Sequence, residues 1–390
     1  MAKKSDSDQT IKIKESERLL LHAILEEDDA LAMQFYEEWA KSVPLDQVEG
    51  GSFRLVPMLY KRLSEIRSDF RDKDRIAGIY KYSLYRNHML FRHCLPALEE
   101  IKARGINMIV LKGAALTAAY YKDYGIRPMT DIDILVEEEE ISIVVDMLKN
   151  LGWTLEEEIS INKLIKAFHA VHMIHIDGYT MDIHWAISDY WFRQAKGSNY
   201  RFITETTVIA GHEIKILAPV YQLLHNAVHG VLWNEMSSVR WIADMVVILK
   251  NRESDIDWEL FIREAEKEKL SYALENILKF LISEFNVNIP EKVIRQLESA
   301  TKDKNEIEFF RCVSKRPGFL NMKSKWLAYS QANRNELENK IWIIKCFLFT
   351  EYLKEIWKLD RIGDIPGYMI KRGFNKIKAK KTMSQTSYED

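Results

Sequence analysis

Cysteine is scarce in this chain of 390 residues, and no two of its three cysteines (Cys94, Cys312 and Cys346) form a C-x-x-C pair. The usual zinc and redox signatures are therefore absent, and an odd, sparse set of thiols fits a reducing cytoplasm. No run of about 18 apolar residues occurs, which argues against a membrane-spanning helix. The first fifteen residues are polar and lack the apolar core of a signal peptide, so we expect a cytoplasmic protein.

Neither sign of charge dominates the composition. The chain has 56 Lys and Arg against 58 Asp and Glu, a net charge of -2. This balance excludes a global basic field for nucleic acid and leaves only local patches as candidates. Hydrophobic residues make up 47% and charged residues 29%, which predicts a globular protein with a sizeable core. The length suggests two or three domains.

The hydrophobic pattern divides the chain into four regions. Residues 1–104 and 218–370 place apolar residues three and four apart, which predicts an N-terminal helical region and a C-terminal helical domain. Residues 105–217 alternate between strand-like and helix-like runs. Residues 371–390 form a basic tail that we expect to be flexible. The predicted fold class is α+β, a small mixed sheet with flanking helices.

The region 105–217 reads as strand, helix, strand, helix and hairpin. A hairpin is predicted at Asp177-Gly178 because this dipeptide favours tight turns between alternating runs. The predicted elements are a strand over Ile106–Gly113, a helix over Ala114–Gly125, a strand over Thr130–Val136, a helix over Glu137–Trp153 and a hairpin over Phe168–Ile187.

Two aspartates stand one residue apart in the strand "TDIDILV". Side chains alternate across a strand, so Asp131 and Asp133 share one face. Two neighbouring buried carboxylates repel each other unless a cation lies between them, and Mg²⁺ prefers oxygen ligands. Asp182, in "MDIHW" on the second arm of the hairpin, is a candidate third carboxylate. A solvated strand end is the alternative for the aspartate pair alone; the three aspartates together predict a metal site.

Other polar residues near these aspartates have candidate roles. The backbone at Gly113 would allow close approach of a triphosphate, and Lys112 and Arg127 are candidate phosphate partners. His184 shares the face of Asp182, and His175 lies across the hairpin, which makes both of them candidates for an acceptor pocket. Alternation places successive members of the set His169, His172 and His175 on opposite faces, so these three cannot all bind one ion.

Two pairs at helical spacing follow in the C-terminal half. His225 and His229 share a helix face, and either packing or contact with nucleotide or acceptor would explain them. Arg240 and Asp244 have the same spacing and predict an ion pair on a helix packed against the α/β unit.

The stretch "VLKGAALTAAYYKDYGIRPMTDIDILV", with the later "DIHW", resembles the nucleotidyltransferase superfamily with a polymerase-beta-like catalytic domain. More narrowly, it is similar to the bacterial branch of uncharacterised nucleotidyltransferases and to the aminoglycoside and lincosamide nucleotidyltransferases. The similar motifs span Val110 to Trp185. Gly113-Ala114 replaces the usual Gly-Ser or Gly-Gly turn, and Lys112 is a candidate to compensate.

The resemblance implies two-metal transfer of an NMP from an NTP such as ATP, with Mg²⁺ or Mn²⁺ as cofactor. Asp131 and Asp133 would hold both ions, and Asp182 would complete the second site and help deprotonate the acceptor. Lys112 and Arg127 would neutralise pyrophosphate. The expected acceptor is a hydroxyl or phosphate of a small molecule, glycan or peptide.

Two alternatives stay open. The first is a toxin-like nucleotidyltransferase that modifies tRNA or a protein, with the basic tail from Lys371 to Lys381 as its contact to RNA. The second is a non-catalytic nucleotide-binding regulatory protein on the same scaffold, against which the three aspartates argue.

Overall fold

The computed structural model of the chain describes residues 11–156, 161, 165, 168–188, 202–233, 239–315, 326, 327, 329, 330, 341–357 and 359–370. The basic tail over 371–390 lies outside the described residues, so its predicted flexibility and its candidate contact to RNA stay predictions.

The chain begins with helices, as predicted from its apolar spacing. The second helix is capped by Asp28, whose carboxylate accepts hydrogen bonds from the backbone N–H groups of Ala30 and Leu31, both at 2.9 Å. The helices are α1 (Glu15–Leu25), α2 (Asp29–Ser42), α3 (Gly50–Phe53), α4 (Val56–Ile66) and α5 (Lys73–Ala103).

The strands of the described residues form one mixed sheet of seven, in the order β3-β4-β5-β2-β1-β7-β6. The pairs β2–β5 and β1–β7 are parallel, and the remaining neighbours are antiparallel. The strands are β1 (Ile109–Val110), β2 (Asp131–Leu135), β3 (Trp153–Leu155), β4 (Ala170–His175), β5 (Thr180–His184), β6 (Thr204–Ile209) and β7 (His212–Leu217). The predicted α+β class with a mixed sheet is confirmed.

The hairpin predicted at Asp177-Gly178 is present as β4 and β5. Gly178 has a φ of 81°, a left-handed conformation that glycine adopts at no steric cost. The register pairs His172 with Asp182 and Ala170 with His184. The turn dipeptide therefore predicted both the hairpin and its centre.

The limits of other predicted elements were wrong. The strand predicted over Ile106–Gly113 is only Ile109–Val110, because Lys112 already begins a short helix, α6 (Lys112–Leu116), which continues as a π-helix over Thr117–Tyr121. The helix predicted up to Trp153 ends earlier as α7 (Ile141–Asn150). Trp153 instead begins β3, which the sequence analysis missed together with β6 and β7.

The two faces of the sheet pack against different layers. Ile132, Ile134 and Ile183 belong to an apolar cluster that also contains residues of α5 and α7. Alternation turns Asp131, Asp133 and Leu135 to the opposite face, and Leu135 belongs to a second cluster formed with helices from both ends of the chain. The aspartates therefore lie on the face covered by helices remote in sequence.

The described residues after β7 are mainly helical, as predicted. In the second apolar cluster their helices share a core with the N-terminal helices, and Arg18 of α1 forms an ion pair of 3.0 Å with Glu284. Among the described residues, no helix is long and apolar enough to cross a bilayer. The helices are α8 (Pro219–Ala227), α9 (Arg240–Arg252), α10 (Trp258–Lys267), α11 (Ser271–Phe285), α12 (Glu291–Ser299), α13 (Lys304–Lys315) and α14 (Trp342–Ile356), and a π-helix over Val228–Trp233 follows α8.

Candidate active site

Three carboxylates meet where β2 and β5 run side by side. The two strands are parallel, and their register pairs Asp133 directly with Asp182 and Asp131 with Thr180. Directly paired residues point to the same face of a sheet, and neighbouring strands lie only about 4.8 Å apart. Asp131, Asp133 and Asp182 are therefore held close together on one face by the backbone of the sheet.

The pKa of Asp131 is unusually high. Burial raises the pKa of Asp131 to about 6, and the negative charges of Asp133 and Asp182 contribute to the rise. Lys112 opposes the shift without cancelling it. The carboxylate face therefore carries an excess of negative charge that a cation would relieve.

Asp133 is the most strongly held of the three. One of its oxygens lies 2.5 Å from Lys112 Nζ and 2.9 Å from His184 Nε2. Burial alone would raise the pKa of Asp133, but the charge of Lys112 and the hydrogen bond from His184 outweigh it and hold the pKa well below its usual range. Asp133 is therefore ionised at all physiological pH values.

His184 lies behind Asp133 and is almost fully buried. Burial and the nearby charge of Lys112 lower the pKa of His184, so the imidazole is neutral and donates its Nε2–H to Asp133. This contact orients the carboxylate. The sequence had assigned His184 to an acceptor pocket, and its position beside Asp133 indicates a supporting role instead.

Lys112 reaches Asp133 from the first residue of α6. Its φ of 46° is in the left-handed region, which is strained for a lysine. The preceding residue, Leu111, is tied to β2 by a hydrogen bond of 2.9 Å from its N–H to the carbonyl of Asp133. This arrangement directs the ammonium group of Lys112 at the carboxylates. Burial alone would lower the pKa of Lys112, but the charge of Asp133 more than offsets it and raises the pKa.

Asp182 has a partner that the sequence analysis did not select. His172 Nδ1 lies 2.5 Å from an Asp182 oxygen, and these two residues are register partners across the hairpin. The hydrogen bond to Asp182 raises the pKa of His172. A hairpin centred on Asp177 pairs positions 172 and 182, so the Asp177-Gly178 turn could have predicted the contact between His172 and Asp182.

Arg127 is bound to a helix 117 residues away in sequence. Its Nε and Nη2 each donate to a different oxygen of Asp244 on α9 at 2.9 Å, and Tyr121 donates its hydroxyl to the same carboxylate at 2.7 Å. Arg127 and Asp244 are both buried. Asp244, predicted to pair with Arg240 on its own helix, thus has Arg127 as its bidentate partner.

The loop that carries Arg127 is fixed by Asn87 of α5. This fully buried side chain donates to the carbonyl of Arg127 at 2.9 Å and accepts from the N–H of Met129 at 3.1 Å. Arg240 Nη1 donates to the carbonyl of Pro128 in the same loop, also at 2.9 Å. The segment before β2 is therefore held from both sides. A lone asparagine in a long helix gave no sequence signal for this role.

A cavity of about 220 Å³ opens in front of Asp131 and Asp133. Its opposite wall comes from Arg54, which follows α3, and from α8, α9 and the π-helix after α8. Arg240 is half-buried in this wall, and desolvation together with the charge of Arg127 lowers its pKa to about 9. The residues of this wall that carry polar groups are Arg54, Gln222, His225, Asn226, His229, Arg240 and Asp244.

His225 and His229 lie side by side at the back of this cavity, with ring centroids 6.1 Å apart. Burial lowers the pKa of His225 well below its usual value and that of His229 to about 3, so both are neutral. The structure places both histidines at the cavity that Asp131 and Asp133 face. Helical spacing alone could not decide between packing and contact with a ligand.

Gly113 is packed against the arginine loop. A Cβ at this position would lie 2.7 Å from Arg127 Nη1 and 3.0 Å from two side-chain atoms of Met129. Glycine is therefore required here by close packing within the protein, and it also lines the cavity beside Lys112.

His175 is not brought to this site. It follows His172 by three residues on β4 and so points to the opposite face of the sheet. There its ring packs near Trp153 and His93. His175 was predicted to face an acceptor pocket across the hairpin from Asp182 or His184. This prediction is wrong because residues three apart on a strand, such as His172 and His175, point to opposite faces of the sheet.

The donor set in front of the cavity suits a divalent cation. Ligand atoms of Asp133, Asp182 and His184 lie within 4.8 Å of one another, and Asp131 shares their face. Carboxylate oxygens are the ligands that Mg²⁺ and Mn²⁺ prefer. Burial is the main cause of the raised pKa of Asp131, and the charges of Asp133 and Asp182 add a repulsion that such a cation would remove.

Comparison with known proteins gives one family and two distant structures. A family model described as "Uncharacterised nucleotidyltransferase" matches residues 52–285, more than half of the chain. A lincosamide antibiotic adenylyltransferase, LnuA, solved with lincomycin, is 16% identical with a TM-score of 0.29, over 40% of this chain and 94% of that one. The antibiotic-resistance factor ANT(2'')-Ia is 16% identical with a TM-score of 0.30, over 51% and 90%. No curated protein sequence matches the chain significantly.

Proposed function

Because the chain belongs to the uncharacterised nucleotidyltransferase family, we propose that it moves an NMP from an NTP to an acceptor hydroxyl or phosphate, with release of pyrophosphate. The observation that supports this most directly is the trio Asp131, Asp133 and Asp182 on two parallel strands, of which Asp131 and Asp133 line a cavity with a basic opposite wall. The proposed acceptor is a small molecule, a glycan or a peptide.

Asp131, Asp133 and Asp182 would hold the Mg²⁺ or Mn²⁺ ions, with His184 fixing Asp133 from behind. When bound, such ions neutralise charge on the triphosphate and lower the pKa of an acceptor hydroxyl. The protein contributes the spacing of the carboxylates, which follows from the register of β2 with β5.

The opposite wall of the cavity suits the phosphates. It carries Arg54 and Arg240, and its one carboxylate, Asp244, is neutralised by Arg127 of the loop before β2, so the wall is net positive. Lys112 lies between the two walls and contacts Asp133. We assign Lys112, Arg240 and Arg54 to the leaving pyrophosphate, where their charges stabilise the negative charge that develops. Arg127, already bound to Asp244, holds this wall in place.

In the reaction, the acceptor oxygen forms a bond to the α-phosphorus, and the bond from that phosphorus to the bridging oxygen breaks. The electron pair of the broken bond leaves with pyrophosphate. Asp182 accepts the proton of the acceptor hydroxyl, and His172, 2.5 Å from Asp182, orients that carboxylate.

The test is transfer of label from each of the four NTPs, labelled at the α-phosphate, to an acceptor in a cell extract with Mg²⁺. The unaltered protein is expected to yield a labelled product, and Asp131→Asn and Asp182→Asn are expected to yield only background. Asp146→Asn, an exposed position on α7, is the matched control and should keep full activity.

Full transfer by either Asp131→Asn or Asp182→Asn would contradict the assignment. Calorimetry with each NTP and Mg²⁺ covers the non-catalytic alternative: metal-dependent nucleotide binding without any labelled product would favour a regulatory protein.

A further inference from the structure

A second cluster of metal-ligating side chains lies at the tip of the β4–β5 hairpin. His93 on α5 and His175 at the end of β4 both direct Nδ1 at the same oxygen of Asp177, at 3.3 and 3.4 Å. One ligand atom from each of the three residues lies within 4.8 Å of the other two. His175 and Asp182 point to opposite faces of the sheet, so this cluster is separate from the carboxylates of the candidate active site.

The spacing of these atoms matches tetrahedral coordination of zinc. Bonds of about 2.0–2.2 Å from Zn²⁺ to imidazole nitrogen and carboxylate oxygen place neighbouring ligand atoms roughly 3.3–3.5 Å apart. The two distances to Asp177, 3.3 and 3.4 Å, fall in this range. Asp177 is 55% exposed, so water can supply the fourth ligand.

The two imidazoles are held in place by aromatic neighbours. The ring of His93 stacks on Tyr179 with centroids 4.1 Å apart and planes at 15°. The ring of His175 lies 5.1 Å from Trp153 and 5.7 Å from His93. A coordinating side chain that is already ordered loses less conformational entropy when the metal ion binds, which favours affinity.

His175 carries the lone pair needed for coordination on the correct nitrogen. Its Nδ1 accepts a hydrogen bond of 3.2 Å from the backbone N–H of Asp177, which places the ring proton on Nε2. The Nδ1 lone pair therefore points into the turn, toward the carboxylate of Asp177. At His175, a metal ion would replace this long hydrogen bond.

We propose that His93, His175 and Asp177 form a binding site for Zn²⁺ or another divalent first-row metal that accepts imidazole ligands. Two nitrogen donors disfavour Mg²⁺, which prefers oxygen, so the two metal sites of the protein select different ions. The bound ion joins the long helix α5 to the hairpin that carries His172 and Asp182. The site does not depend on the proposed transferase activity.

The experiment is a Zn²⁺ titration of the full-length, tag-free protein against a chromogenic zinc indicator, with excess Mg²⁺ to occupy the carboxylate site. Variants His93→Gln and Asp177→Asn remove one ligand each. His212→Gln is the matched control, because His212 also pairs with a carboxylate, Glu99 at 2.7 Å, but belongs to no three-ligand group among the described residues.

The unaltered protein and His212→Gln are expected to bind one equivalent of Zn²⁺. His93→Gln and Asp177→Asn are expected to bind this Zn²⁺ at least about tenfold more weakly. Co²⁺ should give the visible absorption of a tetrahedral complex in the first two proteins only. Equal Zn²⁺ affinity in all four proteins, or no binding by the unaltered one, would overturn the proposal. Asp177 is on an exposed turn, so its variant decides the outcome if His93→Gln does not fold.

Discussion

Arg127 and Asp244 form a buried, bidentate ion pair that joins the loop before β2 to helix α9. The pair fixes one wall of the cavity to the strand that carries Asp131 and Asp133. Its two members are contributed by segments 117 residues apart. The basic wall and the acidic face of the cavity are thereby held in a fixed relation.

Replacing Arg127 with methionine is expected to destabilise the protein by about 3–5 kcal/mol, because the buried carboxylate of Asp244 then loses its bidentate partner. Urea unfolding followed by circular dichroism measures the loss. Arg104→Met is the control, since Arg104 pairs with Glu100 on the exposed end of α5 and should change little. If both variants lose the same small amount, Arg127 does not have the structural role described above.

Asp131 makes metal-free stability depend on pH. Its pKa in the folded protein is about 6 against an ordinary value of 3.8, so the folded state holds the proton more tightly than the unfolded state. Stability is then highest below pH 4 with respect to this group and falls as pH rises toward 6. In EDTA at pH 8, Asp131→Asn is expected to be more stable than the unaltered protein by roughly 1–3 kcal/mol.

This advantage should largely disappear at pH 4, where Asp131 is protonated in the folded state and, with its ordinary pKa of 3.8, only about half ionised in the unfolded state. Mg²⁺ at pH 8 should stabilise the unaltered protein more than the variant. Thermal unfolding at the two pH values provides the measurement. An unaltered protein that equals or exceeds Asp131→Asn in EDTA at pH 8 would show that the carboxylates do not repel as described.

Lys112 provides a positive charge at Asp133 that a divalent cation would also provide. Lys112→Met is expected to lower the melting temperature in EDTA, because Asp133 then keeps only the hydrogen bond from neutral His184. Mg²⁺ should raise the melting temperature of this variant more than that of the unaltered protein. Lys215→Met, which removes only a contact with the side chain of Asn107, is the control. Equal Mg²⁺ shifts in all three proteins would refute a shared position for the two cations.

Gly113→Ala tests the packing of the arginine loop. The added Cβ would meet Arg127 Nη1 at 2.7 Å, and overpacking of this kind costs about 1–3 kcal/mol. Gly78→Ala is the matched control, because its Cβ meets nothing within 4 Å on an exposed position of α5 and should stabilise the helix by roughly 0.5–1 kcal/mol. Urea midpoints of the two variants should therefore move in opposite directions. Stabilisation of both would exclude the close packing at Gly113.

Local signals in the sequence predicted much of the sheet. The alternation of "TDIDILV" identified β2 and the shared face of its aspartates, and the Asp177-Gly178 turn identified the hairpin. These predictions succeeded because strand alternation and turn conformation depend on neighbouring residues only. The match of the family model confirms the resemblance seen in the same motifs.

Features that depend on distant residues escaped prediction. Strand β1 has only two residues, and its parallel partner β7 lies about a hundred positions later. The sequence therefore gave no indication that these two strands pair. The turn between β6 and β7 lies at Ala210-Gly211, with φ of 48° and 91°, and it gave no hairpin signal because alanine rarely adopts a left-handed conformation. Spacing along one helix likewise paired Arg240 with Asp244 and gave no sign of Arg127.

The register of β2 with β5 has a consequence for how this protein can change over evolution. The distance between Asp133 and Asp182 is fixed by backbone hydrogen bonds, which do not depend on side-chain identity. The opposite wall of the cavity comes from side chains on helices that are remote in sequence from both strands. Substitutions in those helices can alter the size and charge of the space available to a ligand while the carboxylates keep their separation. The spacing of the carboxylates and the lining of the cavity are thus encoded in different layers of the molecule.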